Sequence, residues 1–330
     1  MERRLRGAGV WATFVCLSAG CSMQAGEGGS TSTEAPVASS QETFESDHTT
    51  TGAEGEMNAA APPSLGSRLY GVTVDDVSNL SAITQALGGL SKKPTTRIVF
   101  DQGQPPSAYA QAVPAIHAVS NVMGEILDSE GVKSTSTAAY TQRTRDYLAA
   151  FPNTVDIWEI GNEINGNWLG SASTVAAKMS GAYDIVKAAG KRTALTLYGC
   201  SDAGASFDMF NWVRAHVPTR MLTGLDYVLV SYYEGDCGNP RSDWQSAFQQ
   251  LRQLFPNSGL GFGEVGAVDS NGSPIRSTAT AGAYLNKYYN MQINVTNYVG
   301  GYFWWYFAEN MVPKTKALYP ILSDAFVTMP

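Results

Sequence analysis

Eight short apolar or aromatic runs constrain this chain more than any other feature. They cover residues 69–74, 97–100, 119–126, 155–160, 193–198, 225–233, 259–265 and 299–307, and recur roughly every 30 to 40 residues. Helical patterns fill the intervals, for example 107–118, 137–151, 171–189, 207–216, 243–255 and 278–289. Runs this apolar suit strands buried on both faces, which is the condition of a parallel sheet covered by helices. Eight such units between residues 65 and 330 match a (β/α)8 TIM barrel, typically about 250 residues. An open doubly wound sheet is the rival. No GxGxxG or phosphate-binding loop opens a helix here, so the rival lacks its usual ligand signal.

Composition narrows the chemistry. Of 330 residues 44% are apolar and 15% charged, and the net charge is -7. A nucleic-acid partner needs a basic face, and none is visible. The histidines are His48, His117 and His216, without ligand spacing, and the four cysteines form no CxxC pair. Neither a metal nor a cofactor is expected, and a Ser-His-Asp machine is disfavoured. The barrel is expected to be monomeric.

The N-terminus reads as targeting. Arg3, Arg4 and Arg6 precede a mostly apolar stretch from Ala8 to Ala19, too short to span a bilayer. It ends Leu17-Ser18-Ala19-Gly20-Cys21, which resembles the lipobox of bacterial lipoproteins. The resemblance implies that residues 1–20 are a signal peptide and that Cys21 is acylated. The protein would then be lipid-anchored in the bacterial cell envelope, at the outer membrane or cell surface. Residues 21–64 are rich in Ser, Thr, Gly, Ala and Glu and hold no Lys or Arg. Such a segment cannot bury enough apolar surface to offset ordering, so a disordered tether is expected.

Active groups of a barrel gather where its strands end. Here the ends carry Asp101, Glu125, Asp128, Asn162-Glu163, Tyr232-Tyr233-Glu234, Glu264, and Trp304-Trp305 followed by Glu309. Carboxylates, amides and aromatic faces together suit a sugar: polar groups bond its hydroxyls and tryptophan faces meet its C–H side. Trp158-Glu159-Ile160-Gly161-Asn162-Glu163 and Phe262-Gly263-Glu264 resemble the strand-4 and strand-7 motifs of the retaining (β/α)8 glycoside hydrolases, the clan of cellulases, β-mannanases and β-xylosidases. The resemblance implies that Glu163 is the acid/base and Glu264 the nucleophile. It further implies that Asn162 bonds the sugar 2-hydroxyl, that Tyr232 or Tyr233 orients Glu264, and that Trp304 or Trp305 floors the cleavage subsite. Arg97 resembles the clan's strand-2 arginine but sits early in its run. The acid must hold its proton near neutral pH, while the nucleophile must stay ionised.

Glu159 lies inside an apolar run, where an unpaired carboxylate is costly, so it should pair with a barrel residue such as Arg97. With Cys16 removed and Cys21 acylated, Cys200 and Cys237 remain. They follow the fifth and sixth runs, on neighbouring loops, and a disulfide between them is expected in an exported protein. A carbohydrate is the expected partner. Two other functions stay open: a non-catalytic carbohydrate-binding surface lipoprotein, and a transglycosylase using the same two glutamates.

Overall fold

The structure, a computed structural model, describes residues 68–200 and 203–330. The expected signal peptide, the acylation expected at Cys21 and the expected tether all lie outside the described residues.

Eight parallel strands close into one barrel in sequence order. They are β1 (Leu69–Val74), β2 (Thr95–Val99), β3 (Asn121–Glu125), β4 (Ile157–Glu159), β5 (Arg192–Tyr198), β6 (Tyr227–Tyr232), β7 (Gly259–Val265) and β8 (Tyr298–Trp304). The helices are α1 (Leu80–Gly88), α2 (Ala112–His117), α3 (Ser129–Val132), α4 (Thr137–Ala150), α5 (Ala172–Ala188), α6 (Met209–His216), α7 (Thr219–Gly224), α8 (Trp244–Leu254), α9 (Thr278–Tyr289), α10 (Phe307–Met311) and α11 (Leu318–Thr328). The expected (β/α)8 barrel is therefore the observed one, and each of the eight runs overlaps a strand.

Local chemistry starts the long helices. Ser136, Ser171, Asp208, Asp243 and Ser277 each accept a hydrogen bond from a backbone N–H of the helix that follows. Such caps stabilise a helix by about 1 kcal/mol apiece. The helix expected over 107–118 is broken instead. A 3-10 turn spans Pro106–Tyr109, and α2 starts only at Ala112. Pro114 explains the break, because proline is tolerated in the first turn of a helix but not in its middle.

Side chains alternate between two cores. Leu69, Met123, Ile157, Ala194, Tyr227, Leu229, Val299 and Phe303 plug the barrel interior. Trp158, Leu195, Val228 and Phe262 point outward into the larger layer shared with the helices. Strand alternation thus buries Ile157 and Glu159 inside the barrel and sends Trp158 between sheet and helix. Sheet register places Arg97 beside Met123, and Glu125 beside Glu159.

β8 departs from regular geometry. Gly300, Gly301, Tyr302 and Phe303 all have positive φ, from 37° to 83°. Pairing shifts register there against both β1 and β7. A Cβ on Gly71 or Gly261 would lie 2.4 Å from a β8 carbonyl oxygen, so glycine is required where neighbouring strands meet this bulge.

The expected disulfide is present. Cys200 and Cys237 are bonded, with Cα atoms 5.7 Å apart, and join the loops after β5 and β6.

Candidate active site

Arg97 is the centre around which the carboxylates assemble. It is 0% exposed, as are Glu125 and Glu159. Arg97 stands mid-strand on β2, and its long side chain reaches up through the barrel toward the rim. Its Nε donates to Glu159 Oε2 at 2.6 Å and its Nη2 to Glu159 Oε1 at 3.3 Å. Its Nη1 donates to Glu264 Oε2 at 2.9 Å. Nη2 also lies 3.0 Å from Glu125 Oε2, an ion-pair distance outside hydrogen-bond geometry, and neither Glu125 oxygen has a hydrogen bond among the described residues. One guanidinium thus faces three buried carboxyls. Burial, opposed by Arg97, pushes the Glu125 carboxyl well up, which favours a proton there. Thr196 Oγ1 completes the set by donating to Glu159 Oε1 at 2.5 Å. The pairing expected for Glu159 is the one observed: it faces Arg97.

Glu264 is near the top of β7 and 3% exposed. Besides Arg97, it accepts a hydrogen bond from the Tyr233 hydroxyl at 2.5 Å, on Oε1. Of the two tyrosines considered, Tyr233 is the one at this carboxyl. Tyr232 points the other way, packs on Trp244 at 4.7 Å, and its hydroxyl accepts from the Arg241 backbone N–H at 2.7 Å. It takes no part in orienting Glu264. Burial pushes the Glu264 carboxyl up to about 7; Arg97 opposes the rise, Glu163 and Asp128 add to it, and Tyr233 opposes it. The expectation of an ionised Glu264 therefore holds fully only above neutral pH, because water is excluded from it more completely than one guanidinium compensates.

Glu163 follows β4 and is 3% exposed. Its φ is 48°, a left-handed backbone that costs a non-glycine residue about 1–3 kcal/mol and is concentrated at functional positions. Its Oε2 accepts from Ser129 Oγ at 2.9 Å and its Oε1 from Ser231 Oγ at 2.7 Å. Ser231 is also the register partner of Glu264 across β6 and β7. One serine thus adjoins both carboxyl-bearing residues. Asn162, 1% exposed, has a buried Oδ1 with no hydrogen-bond partner among the described residues. A buried amide oxygen left this way is stabilised by an incoming donor such as a hydroxyl.

The tryptophans separate in the same manner as the tyrosines. Trp304 is 0% exposed and belongs to the layer between sheet and helices, so it cannot floor a subsite. Trp305 is partly exposed and its ring stands 5.6 Å from the Arg97 guanidinium. Strand alternation is the physical reason: Val299 and Phe303 plug the barrel interior, so Trp305 follows on their face and Trp304 on the opposite one.

The rim is held from outside. Arg143 of α4 donates to the backbone carbonyls of Phe100, Asp101, Gln104 and Ile126, fixing the ends of β2 and β3. Asn165 binds the Tyr198 backbone on both sides and the Phe207 carbonyl.

No protein-family model matches the chain, and no curated protein does either. Solved structures share its architecture. A glucosidase from Croceicoccus marinus superposes with a TM-score of 0.50 at 14% identity, over 72% of this chain and 60% of its own. An apo β-glucosidase gives 0.51 at 13% identity, over 77% and 89%. A mutant of Saccharomyces cerevisiae Gas2p, bound to laminaritetraose and laminaripentaose, gives 0.51 at 12% identity, over 80% and 64%. The chain thus spans about 60% of the length of two of these three proteins. At such identities the likeness is one of barrel architecture.

Ser129 and Ser231 are partners of Glu163 that the sequence did not reveal. A lone serine carries no periodic signal. Position alone could have raised Ser231, which directly precedes the Tyr232-Tyr233 pair at a strand end.

Proposed function

We propose that the protein cleaves glycosidic bonds of an oligo- or polysaccharide with retention, Glu163 serving as acid/base and Glu264 as nucleophile. The observation that carries this reading is the unlike surroundings of the two carboxyls. Glu264 meets the Arg97 guanidinium, which can only donate and carries a positive charge that favours a carboxylate there, and it also accepts from the Tyr233 hydroxyl. Glu163 meets two serine hydroxyls, which can also accept. The cation thus stands at Glu264 and neutral hydroxyls at Glu163, the arrangement that suits one carboxyl as nucleophile and the other as acid/base.

The steps follow. Glu264 attacks the anomeric carbon while Glu163 protonates the departing oxygen. The glycosyl ester neutralises Glu264 and removes a negative charge beside Glu163. Glu163, now a carboxylate, takes a proton from water, and the resulting hydroxide opens the ester. Retention calls for carboxyls about 5–5.5 Å apart. The position of Ser231, paired with Glu264 and bonded to Glu163, favours that short separation. Asn162 would offer its vacant amide oxygen to a sugar hydroxyl, and Trp305 a face to the ring. We also propose that Cys21 carries the lipid that holds the enzyme at the bacterial envelope.

The test is turnover on a glycan panel by the barrel, residues 65–330. It should begin with β-linked glucans, given the substrates and names of the structural neighbours. Glu163→Ala and Glu264→Ala should each lose at least about 1,000-fold on natural glycans, by analogy with deletion of other catalytic groups. Azide should restore Glu264→Ala as an inverted glycosyl azide. Undiminished turnover by Glu264→Ala would remove the assignment. Products longer than the substrate would mark transfer in place of hydrolysis.

A further inference from the structure

Resting on that reading, we infer that Trp168 and Ser129 form a fixed donor chain that makes Oε1 the proton-delivering oxygen of Glu163. Trp168 Nε1 donates to Ser129 Oγ at 3.2 Å, and Ser129 Oγ donates to Glu163 Oε2 at 2.9 Å. An indole N–H can only donate, so Ser129 must accept from it. The Ser129 hydroxyl hydrogen then goes to its one other side-chain partner among the described residues, Glu163 Oε2. In a carboxylic acid the carbonyl oxygen is the better acceptor, so the oxygen that faces a fixed O–H is favoured as the carbonyl and the other as the hydroxyl. The proton therefore resides on Oε1, opposite Ser231 Oγ at 2.7 Å. Ser231 has no comparable donor fixing its direction among its described contacts, so it can donate to the carboxylate or accept from the acid.

The frame around this chain is rigid. Ser129 is the first residue of α3 and 3% exposed, and the preceding Asp128 caps that helix by accepting from Glu130 N–H at 2.9 Å. Trp168 packs edge-on against Tyr198 at 5.0 Å. A Cβ on Gly166 would lie 2.5 Å from the indole ring, so glycine there lets Trp168 lie flat over the loop. As the proton leaves Oε1, charge spreads onto Oε2, where the Ser129 hydroxyl already points. The donor is in place before the charge develops, which is the condition for electrostatic catalysis without reorganisation. Trp168 and Ser129 are positioning residues: they act through Glu163.

The test compares two leaving groups. Dinitrophenolate departs without a proton, whereas phenolate needs the acid. The probes are the dinitrophenyl and phenyl β-glycosides of glucose and laminaribiose, read as kcat/KM, which reports formation of the glycosyl ester. Ser129→Ala and Trp168→Phe should each lose about 10-fold on the phenyl glycoside, the worth of one hydrogen bond to a charged group, and stay within about 2-fold on the dinitrophenyl glycoside. The double variant should lose no more than Ser129→Ala alone, because both act through one hydroxyl. Ser129→Thr should recover most of the phenyl activity. Equal losses on both glycosides, or losses that multiply in the double variant, would overturn the inference while leaving Glu163 as the acid. Wild-type protein without turnover of any glycoside, or Glu163→Ala with wild-type turnover of the phenyl glycoside, would overturn the function and this inference together.

Discussion

Replacing Glu264 by glutamine should make the protein more stable at alkaline pH and change it little at acid pH. In the folded barrel burial delays ionisation of this carboxyl from the ordinary value near 4.5 to about 7. At 1.36 kcal/mol per pH unit, the charged form costs the fold on the order of 3 kcal/mol. The sign follows from proton counting. Below about pH 4.5 folded and unfolded chains both hold the proton, and the group contributes nothing. Between 4.5 and 7 only the folded chain holds it, so stability falls as pH rises. Above 7 the full cost is present. Glutamine keeps the shape and never ionises, so the variant should gain on the wild type by about 3 kcal/mol between pH 4.5 and 8. That corresponds to roughly 6–12 °C in Tm for a domain of this size. Asp75 and Asp128, pushed up to about 7 and 6 chiefly by burial, add slopes of the same sign that largely cancel in the comparison. Thermal melts of both proteins at pH 4.5, 6 and 8 read the effect directly. A difference that does not change with pH, or a wild type that gains on the variant as pH rises, would refute the reasoning. It would mean that Arg97 and Tyr233 outweigh burial. The corollary for activity is an acid limb of kcat/KM near pH 7 rather than near 4.5, since the nucleophile must be ionised.

Three further predictions follow from the same structure. Arg97→Met leaves three buried carboxyls without their cation and should destabilise the fold by about 3–5 kcal/mol at pH 8, with partial recovery at pH 5 as the carboxyls take up protons; urea unfolding at both values checks it. Reduction of Cys200–Cys237, or serine at both positions, should lower stability by up to about 4 kcal/mol, from the 37-residue separation in the chain-entropy model; alkylation of unreduced protein should label neither residue. Cys21→Ala in the full chain should abolish incorporation of labelled fatty acid and release the protein from membranes; label retained in that variant would remove the anchor assignment.

The barrel was legible in the sequence because parallel strands buried on both faces must be apolar along their whole length. Runs such as 225–233 and 259–265 announce themselves for that reason. Glu163 and Glu264 stand out in the sequence because they lie at or just past the ends of such runs, and the fold gives them neighbouring partners there. Choices between neighbours were not legible. Trp304 against Trp305 and Tyr232 against Tyr233 follow from alternation once Phe303 and Leu229 are known to face the barrel interior, but a strand apolar on both faces does not say which face that is. One extra residue of offset exchanges the two faces of a strand, and no composition signal marks where it falls. Arg97 sits early in its run, but strand position alone leaves out the length of its side chain. From mid-strand it still reaches Glu264 at 2.9 Å. Ser129 and Trp168 come from a helix start and a loop that meet Glu163 only in three dimensions.

Trapping the intermediate tests the central claim most directly. Wild-type protein incubated with an activated 2-deoxy-2-fluoro glycoside of a glycan it cleaves should gain the mass of one fluorosugar, and proteolysis should place the ester on the peptide that contains Glu264. An ester on Glu163 or elsewhere, or turnover of the unmodified glycan with inversion at the anomeric centre and no ester, would contradict the account.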